Sequence, residues 1–186
     1  MPIVLASASP RRQELLKNAG IGFIVHPAEI EETVRAGESA RVFAERMARE
    51  KAQAVRRLFP GQVILAADTV VAVEDQILGK PEDEKDAARM LRLLSDRKHH
   101  VITGVCLLTG TVEDVRAETT EVQFSPLTDA DIHNYIASRE PMDKAGAYAI
   151  QGKASRWISR IEGDYFNVVG LPVDLVWRML RDHRAV

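Results

Sequence analysis

The stretch Ser7-Ala8-Ser9-Pro10-Arg11-Arg12 sets two hydroxyls and two guanidiniums around a proline. It follows an apolar run, Ile3-Val4-Leu5-Ala6, and leads into a helical pattern, Gln13-Glu14-Leu15-Leu16-Lys17. Pro10 suits the first helical position, where a missing N–H forfeits no intrahelical bond, and Ser9 then stands at the N-cap. The free N–H groups and positive dipole end of such a turn attract anions. First turns ordinarily carry acids, yet this one carries Arg11 and Arg12. Cations set against the dipole point to a compensating ligand such as a polyphosphate. An ordinary capped helix with two solvated arginines also fits the turn taken alone.

Other residues combine chemistry with unusual placing. Asp68 closes the most hydrophobic run of the chain, Val63-Ile64-Leu65-Ala66-Ala67. Ligands of open α/β sheets bind beyond the carboxyl ends of strands, where a carboxylate can hold a metal or take a proton from water. Capping the next turn is its simpler use. Lys51 lies on a long helical pattern among Met47, Ala48, Ala52 and Val55, within or beside the buried stripe. It either snorkels from the edge of that stripe or reaches into a cleft toward an anion. Lys80 lies between Gly79 and Pro81; the proline biases it to an extended backbone, and a solvated turn lysine is the plain reading. Asp143-Lys144-Ala145-Gly146 is a charged loop with a glycine suited to positive φ. Gln151, after Ala147-Tyr148-Ala149-Ile150, carries an amide able to read a base edge or to close a hydrogen-bond network.

Alternating strands and helices must position these groups. The pattern predicts strands over 2–6 and 22–26 around a helix over 10–19 that Gly20 ends. An acidic irregular segment, 27–37, contains Glu29, Glu31 and Glu32, and a long helix over 39–58 stops at Pro60-Gly61. The run 63–67 reads as a central strand covered on both faces and ending at Asp68-Thr69. Val70 to Leu78 reads as a hairpin turning near Glu74-Asp75. A helix over 83–95 buries Ala87, Met90, Leu91 and Leu94. Strands over 99–109 and 112–124, a Thr128-capped helix over 129–138, a loop over 139–155, a strand over 156–162 and a terminal helix opened by Gly170-Leu171-Pro172 complete the pattern. No repeat or linker interrupts it, so residues 1–186 read as one mixed α/β domain.

Composition narrows the partners. Apolar residues make up 46% and charged residues 28%, as in an ordinary globular domain, and the net charge of −2 argues against a surface built to coat nucleic acid. One cysteine, Cys106, leaves no internal disulfide or cysteine-based zinc cluster, and its apolar surroundings make it a core residue. No apolar stretch approaches membrane-spanning length and no leader-like segment is visible, so a cytoplasmic location is expected. P-loop, dinucleotide, H-E-x-x-H and G-x-S-x-G motifs are missing. His99 and His100, adjacent on a strand, point to opposite faces and cannot chelate one ion.

The ordered set of motifs resembles one family, the Maf-type nucleoside triphosphate pyrophosphatases. It comprises Leu5-Ala6-Ser7-Ala8-Ser9-Pro10-Arg11-Arg12, Glu32, Arg49-Glu50-Lys51-Ala52, Ala67-Asp68-Thr69-Val70 and Lys80-Pro81. Thr103-Gly104-Val105, Asp143-Lys144-Ala145-Gly146 with Gln151-Gly152, and Asn167-Val168-Val169-Gly170-Leu171-Pro172 complete it. Each motif is weak alone, but the set spans almost the whole chain. The resemblance implies an α/β fold like that of inosine triphosphate pyrophosphatases, with a bent mixed sheet flanked by helices, a central substrate cleft and commonly a homodimer. It implies hydrolysis of a nucleoside triphosphate to the monophosphate and pyrophosphate. Arg11, Thr69 and the run Ala145 to Gln151 take the form of the branch that prefers dTTP and UTP; the branch acting on 7-methyl-GTP typically has an aromatic residue in place of Arg11.

In that light Arg11, Arg12, Lys51 and Lys80 supply positive charge around the triphosphate, and Ser7 and Ser9 bind phosphate oxygens. Glu32 and Asp68 are the oxygen ligands for Mg²⁺ or Mn²⁺, and Asp68 is also the proton acceptor from the attacking water. The two roles of Asp68 compete, because a metal-bound carboxylate is a poorer base. Arg11, Thr69 and Gln151 fall on the base side. Three other readings remain: the same reaction on modified purine or pyrimidine triphosphates, a nucleotide-sensing regulator of cell division, and a nucleic-acid-binding module built on Arg11-Arg12. The acidic balance disfavours the last.

Overall fold

The computed structural model describes residues 2–185. In chain order the elements are β1 (Ile3–Leu5), α1 (Pro10–Asn18), β2 (Phe23–Val25), α2 (Ala40–Arg56), β3 (Ile64–Val73), β4 (Gln76–Leu78) and α3 (Glu84–Leu94). Then come β5 (Lys98–Thr109), β6 (Val112–Phe124), α4 (Asp129–Ala137), β7 (Ile158–Glu162), α5 (Tyr165–Val169) and α6 (Val173–Asp182), with 3₁₀ turns over Glu140–Asp143, Ala145–Ala147 and Lys153–Trp157. Among the described residues the strands form one seven-stranded mixed sheet ordered β2-β1-β3-β5-β6-β7, with β4 paired to β3. The alternating pattern thus yields the expected mixed α/β class with flanking helices. The short helix α5 is an addition to the expected elements, and the loop expected over 139–155 contains 3₁₀ turns.

The chain divides into two compact units. The first takes residues up to Thr69, Thr103–Glu118 and the chain from Gly170 onward. Here β1 pairs in parallel with both β2 and β3, so α1 and α2 are crossover helices, as parallel neighbours require. Ala48, Ala52 and Val55 of α2 pack with Val4, Ala6, Ile64, Ala66, Cys106 and Leu108 in one buried cluster. Burial raises the Cys106 thiol to about 12, which confirms an inert core residue. Gly104 permits the close approach of α2: a Cβ there would collide with the Ala44 backbone carbonyl.

The second unit takes Val70–Ile102 and Thr119–Val169. Its core joins Val71, Val73 and Leu78 of the hairpin to the predicted face of α3, Ala87, Met90, Leu91 and Leu94, and to Phe124, Tyr135, Tyr148 and Trp157. The hairpin turns where expected, with Val73 opposite Gln76 and Glu74 at φ 52°. The Thr128 cap on α4 is a full capping box with Asp131.

Candidate active site

Pro10 occupies the first turn of α1, and the Ser9 side chain accepts from the Arg12 N–H at 3.4 Å. Arg11 and Arg12 stand one turn before Leu15 and Leu16, the buried residues of α1. Arg12 turns back over the first unit. Its Nε donates to the Gly170 carbonyl at 2.8 Å, one terminal nitrogen to Ser7 Oγ at 3.1 Å and the other to Thr69 Oγ1 at 3.0 Å. Thr69 Oγ1 in turn lies 2.9 Å from the buried Thr103 Oγ1. Gly170 holds φ 132°, a region that favours glycine, which lets its carbonyl face the guanidinium.

These acceptors of Arg12 are all neutral. Desolvation lowers the pKa of the guanidinium; the charge of Arg11 adds to this, while Asp68 and Glu32 oppose it. A guanidinium does not deprotonate in a protein, so the lowered value means a cation held at a solvation cost. An anion bound beside it would offset that cost. Arg11 is half-buried on the same turn.

Asp68 differs from its expected place. β3 continues through it to Val73, so the carboxylate sits inside the strand instead of at its end. A buried charge survives there because Lys51 meets it. Ile64, Ala66 and Asp68 alternate onto one face of β3, the face that packs against Ala48 and Ala52 of α2. Lys51, also on the buried stripe of α2, is therefore delivered to Asp68, with Nζ 2.6 Å from Oδ1. Thr69, on the opposite face, is delivered to Arg12. Lys51 Nζ also lies 2.6 Å from Glu32 Oε1, and the Glu32 side chain is 44% exposed. Lys51 thus reaches a pair of anions and does not snorkel to solvent.

Two carboxylates converging on one ammonium form a hard-oxygen set that fits a small divalent cation. Mg²⁺ is commonly bound by one or two carboxylates, with water and substrate phosphate completing its shell. Among the described residues no group of three or more His, Cys, Asp or Glu side chains forms a metal cage.

Lys80 and Gln151 belong to the second unit and are exposed. The Gly146 N–H donates to the Gly79 carbonyl at 3.0 Å, tying the turn that carries Lys80 to the late loop. Gly146 has the expected positive φ, 67°, and a Cβ there would press on Val71 at 2.8 Å. Gln151 precedes Gly152, which lies against the Glu140 carboxylate. That carboxylate accepts from Tyr135 Oη and from the Lys153 N–H, each at 2.9 Å, and so pins the loop.

Sequence reasoning misses the Gly170 carbonyl and Thr103 as partners within this site, and it misses a second buried cation of α2, Arg46. A backbone acceptor has no side-chain signature. Arg46 has a legible one, a charged residue beside Met47 on the apolar stripe.

The family profile described as "Maf-like protein" matches residues 2–183. The chain is 53% identical to a dTTP/UTP pyrophosphatase of Koribacter versatilis, over 97% of this chain and 94% of the relative. It is 52% identical to one of Carboxydothermus hydrogenoformans over 98% of each, and 49% identical to one of Symbiobacterium thermophilum over 96% and 92%. With a cationic α1 turn, a lysine held between two carboxylates and near-complete coverage by these relatives, the chain belongs to the Maf family.

Proposed function

We propose that this chain is a nucleoside triphosphate pyrophosphatase that hydrolyses dTTP and UTP to the monophosphate and pyrophosphate. The observation that carries this reading is the Glu32–Lys51–Asp68 cluster, whose carboxylates exert their charge on the desolvated Arg12. The activity by which the relatives are named supports the same substrates.

In the proposed reaction a water oxygen attacks the α-phosphorus, the bond to the bridging oxygen breaks, and pyrophosphate leaves. The water proton passes to Asp68. Little covalent chemistry falls on the protein, so alignment and charge neutralisation dominate. Arg11, Arg12, Lys51 and Lys80 neutralise phosphate oxygens, and Ser7 and Ser9 with the N–H groups of the α1 turn orient them. Glu32 and Asp68 are the groups to hold Mg²⁺ or Mn²⁺, which when bound polarises phosphate oxygens and offsets developing charge. Arg11, Thr69 and Gln151 are assigned to discrimination of the base; an amide that both donates and accepts matches a uracil or thymine edge.

We treat the chain as one working domain, a reading supported by a single family profile that matches residues 2–183. We assign it a homodimeric, cytoplasmic, house-cleaning role on nucleotides. Among the described residues no helix is long and apolar enough to cross a membrane. A pyrophosphate-release screen over natural and modified triphosphates, with Mg²⁺, Mn²⁺ or excess chelator, tests the proposal. We expect pyrophosphate from dTTP and UTP only with a divalent cation. Orthophosphate as first product, or full activity in chelator, overturns it; tight binding without turnover favours the sensor reading, and preference for modified bases the other alternative.

A further inference from the structure

Arg46 is the second buried cation of α2, five residues before Lys51, and the proposed reaction gives it no role. Its Nε and one terminal nitrogen grip the Glu38 carboxylate at 2.6 and 2.7 Å, a two-point fork. The same terminal nitrogen donates to the Thr33 carbonyl at 2.8 Å, and the other donates to Glu50 at 3.2 Å. The buried ring of Phe43 lies 5.4 Å beneath the guanidinium. The grip holds Glu38 down at about 2, through the Arg46 hydrogen bonds first and against a smaller desolvation cost.

The gripped segment, 26–37, has neither helix nor strand, and residues 31–37 are exposed. It therefore adds little to the core. Yet it carries Glu32, whose neighbour Thr33 is the residue Arg46 holds. Arg46 and Lys51 project from one helix to adjacent residues of one loop, and the ion pair of Lys51 to Glu32 is the exposed member of the two contacts.

We propose that Arg46 is a positioning residue: its clasp on Thr33 and Glu38 fixes the loop so that Glu32 meets Lys51 and Asp68. This rests on the reading of Glu32 as a group that serves the reaction. Only a planar fork fills the carboxylate and the carbonyl together, so lysine at this position keeps the charge and loses the geometry.

The test is a double-mutant cycle on the full-length protein, with Arg46→Met, Arg46→Lys, Glu32→Gln and the Arg46→Met/Glu32→Gln pair. Readouts are kcat/KM for dTTP, the half-saturating Mg²⁺ concentration, and the rate at which trypsin cuts the native protein after Arg35. Misplacing a reacting group by about 1 Å can cost about 10²-fold in rate, so Arg46→Met should lower kcat/KM by about that factor. It should also raise the Mg²⁺ requirement and speed cleavage at Arg35, with Arg46→Lys intermediate. In the Glu32→Gln background the same change should cost little more. Equal losses in both backgrounds, or unchanged cleavage at Arg35, overturn the clasp while leaving the role of Glu32 intact. A Glu32→Gln enzyme as active as wild type overturns the role of Glu32 and the clasp with it. Should Arg46→Met fail to fold, Glu38→Gln opens the same clasp from its other end and is read by the same three measurements.

Discussion

Each unit buries a titratable side chain in its own way, and the two ways are opposite in design. In the first, Lys51 is charge-compensated, with Asp68 and Glu32 each 2.6 Å from Nζ. In the second, His99 is 1% exposed, and its Nε2 lies 2.8 Å from Tyr148 Oη. Its ring lies edge-on to Phe124 and Tyr148, with centroids 5.0 and 5.4 Å away. No carboxylate is among these contacts, and burial lowers the His99 pKa to about 4, with the His100 charge adding to the effect and a backbone interaction at Arg97 opposing it. A buried ion must bring its counter-charge; a buried imidazole can discard its proton instead. Under the proposed function, the first arrangement exchanges partners with an incoming phosphate or cation. The second is neutral at neutral pH and packed among aromatic rings, which suits it to stability.

The sharpest way to break this contrast is to remove charge from the first site. Asp68→Asn keeps the shape of the side chain but loses the basic lone pair and half the counter-charge of Lys51. Glu32 still partners the ammonium, so the fold should survive. Loss of a general base costs about 10²–10⁴-fold, and we expect a fall in kcat of that order with native circular dichroism. Wild-type turnover by folded Asp68→Asn would move the chemistry to another residue and leave the cluster a structural ion pair.

The same contrast explains what is readable in the sequence. Lys51 is visible because a cation stands among Ala48, Ala52 and Val55, and the hydroxyl-proline-arginine turn is visible because it opposes a helix dipole. Strand alternation tells His99 from His100, and the structure buries the first and exposes the second. The middle of β3 is misleading, because a charged residue after an apolar run looks like a strand end when its partner lies 17 positions away on another element. The clasp of Arg46 on Thr33 and Glu38 is hidden for a related reason: a backbone carbonyl and an irregular loop carry no periodicity.

A smaller effect should appear when the second site is loosened without touching charge. Tyr148→Phe removes the hydroxyl that faces His99 Nε2 and leaves a buried ring nitrogen without that partner. An unsatisfied buried polar group costs about 1–3 kcal/mol, which chemical denaturation at neutral pH would register as a lower midpoint with an unchanged slope. An unchanged midpoint would mean that water replaces the phenol, and the site would then not be a closed aromatic cage.

The pH dependence of stability provides the most discriminating measurement, though in a narrow window its effect is the smallest. For His99 the folded value, about 4, lies below the ordinary 6.5. Between those limits the unfolded chain binds the proton and the folded one does not, so stability falls as pH drops from about 6.5 toward 4 and rises with pH across that range. Across the full span the loss amounts to about 3 kcal/mol. Between about pH 6.5 and 6, only a few tenths of a kcal/mol should be lost. The carboxylate held low by Arg46 acts in a separate window: Glu38, at about 2, loses its contribution only as pH falls from about 4.5 toward 2. Urea titrations at half-unit intervals from pH 7 to 5 should therefore show a slope that steepens below 6.5 in the wild type and flattens in His99→Phe, before the carboxylates begin to titrate. A slope that persists in His99→Phe would assign the proton to another group and dissolve the contrast between a compensated lysine and a neutral histidine.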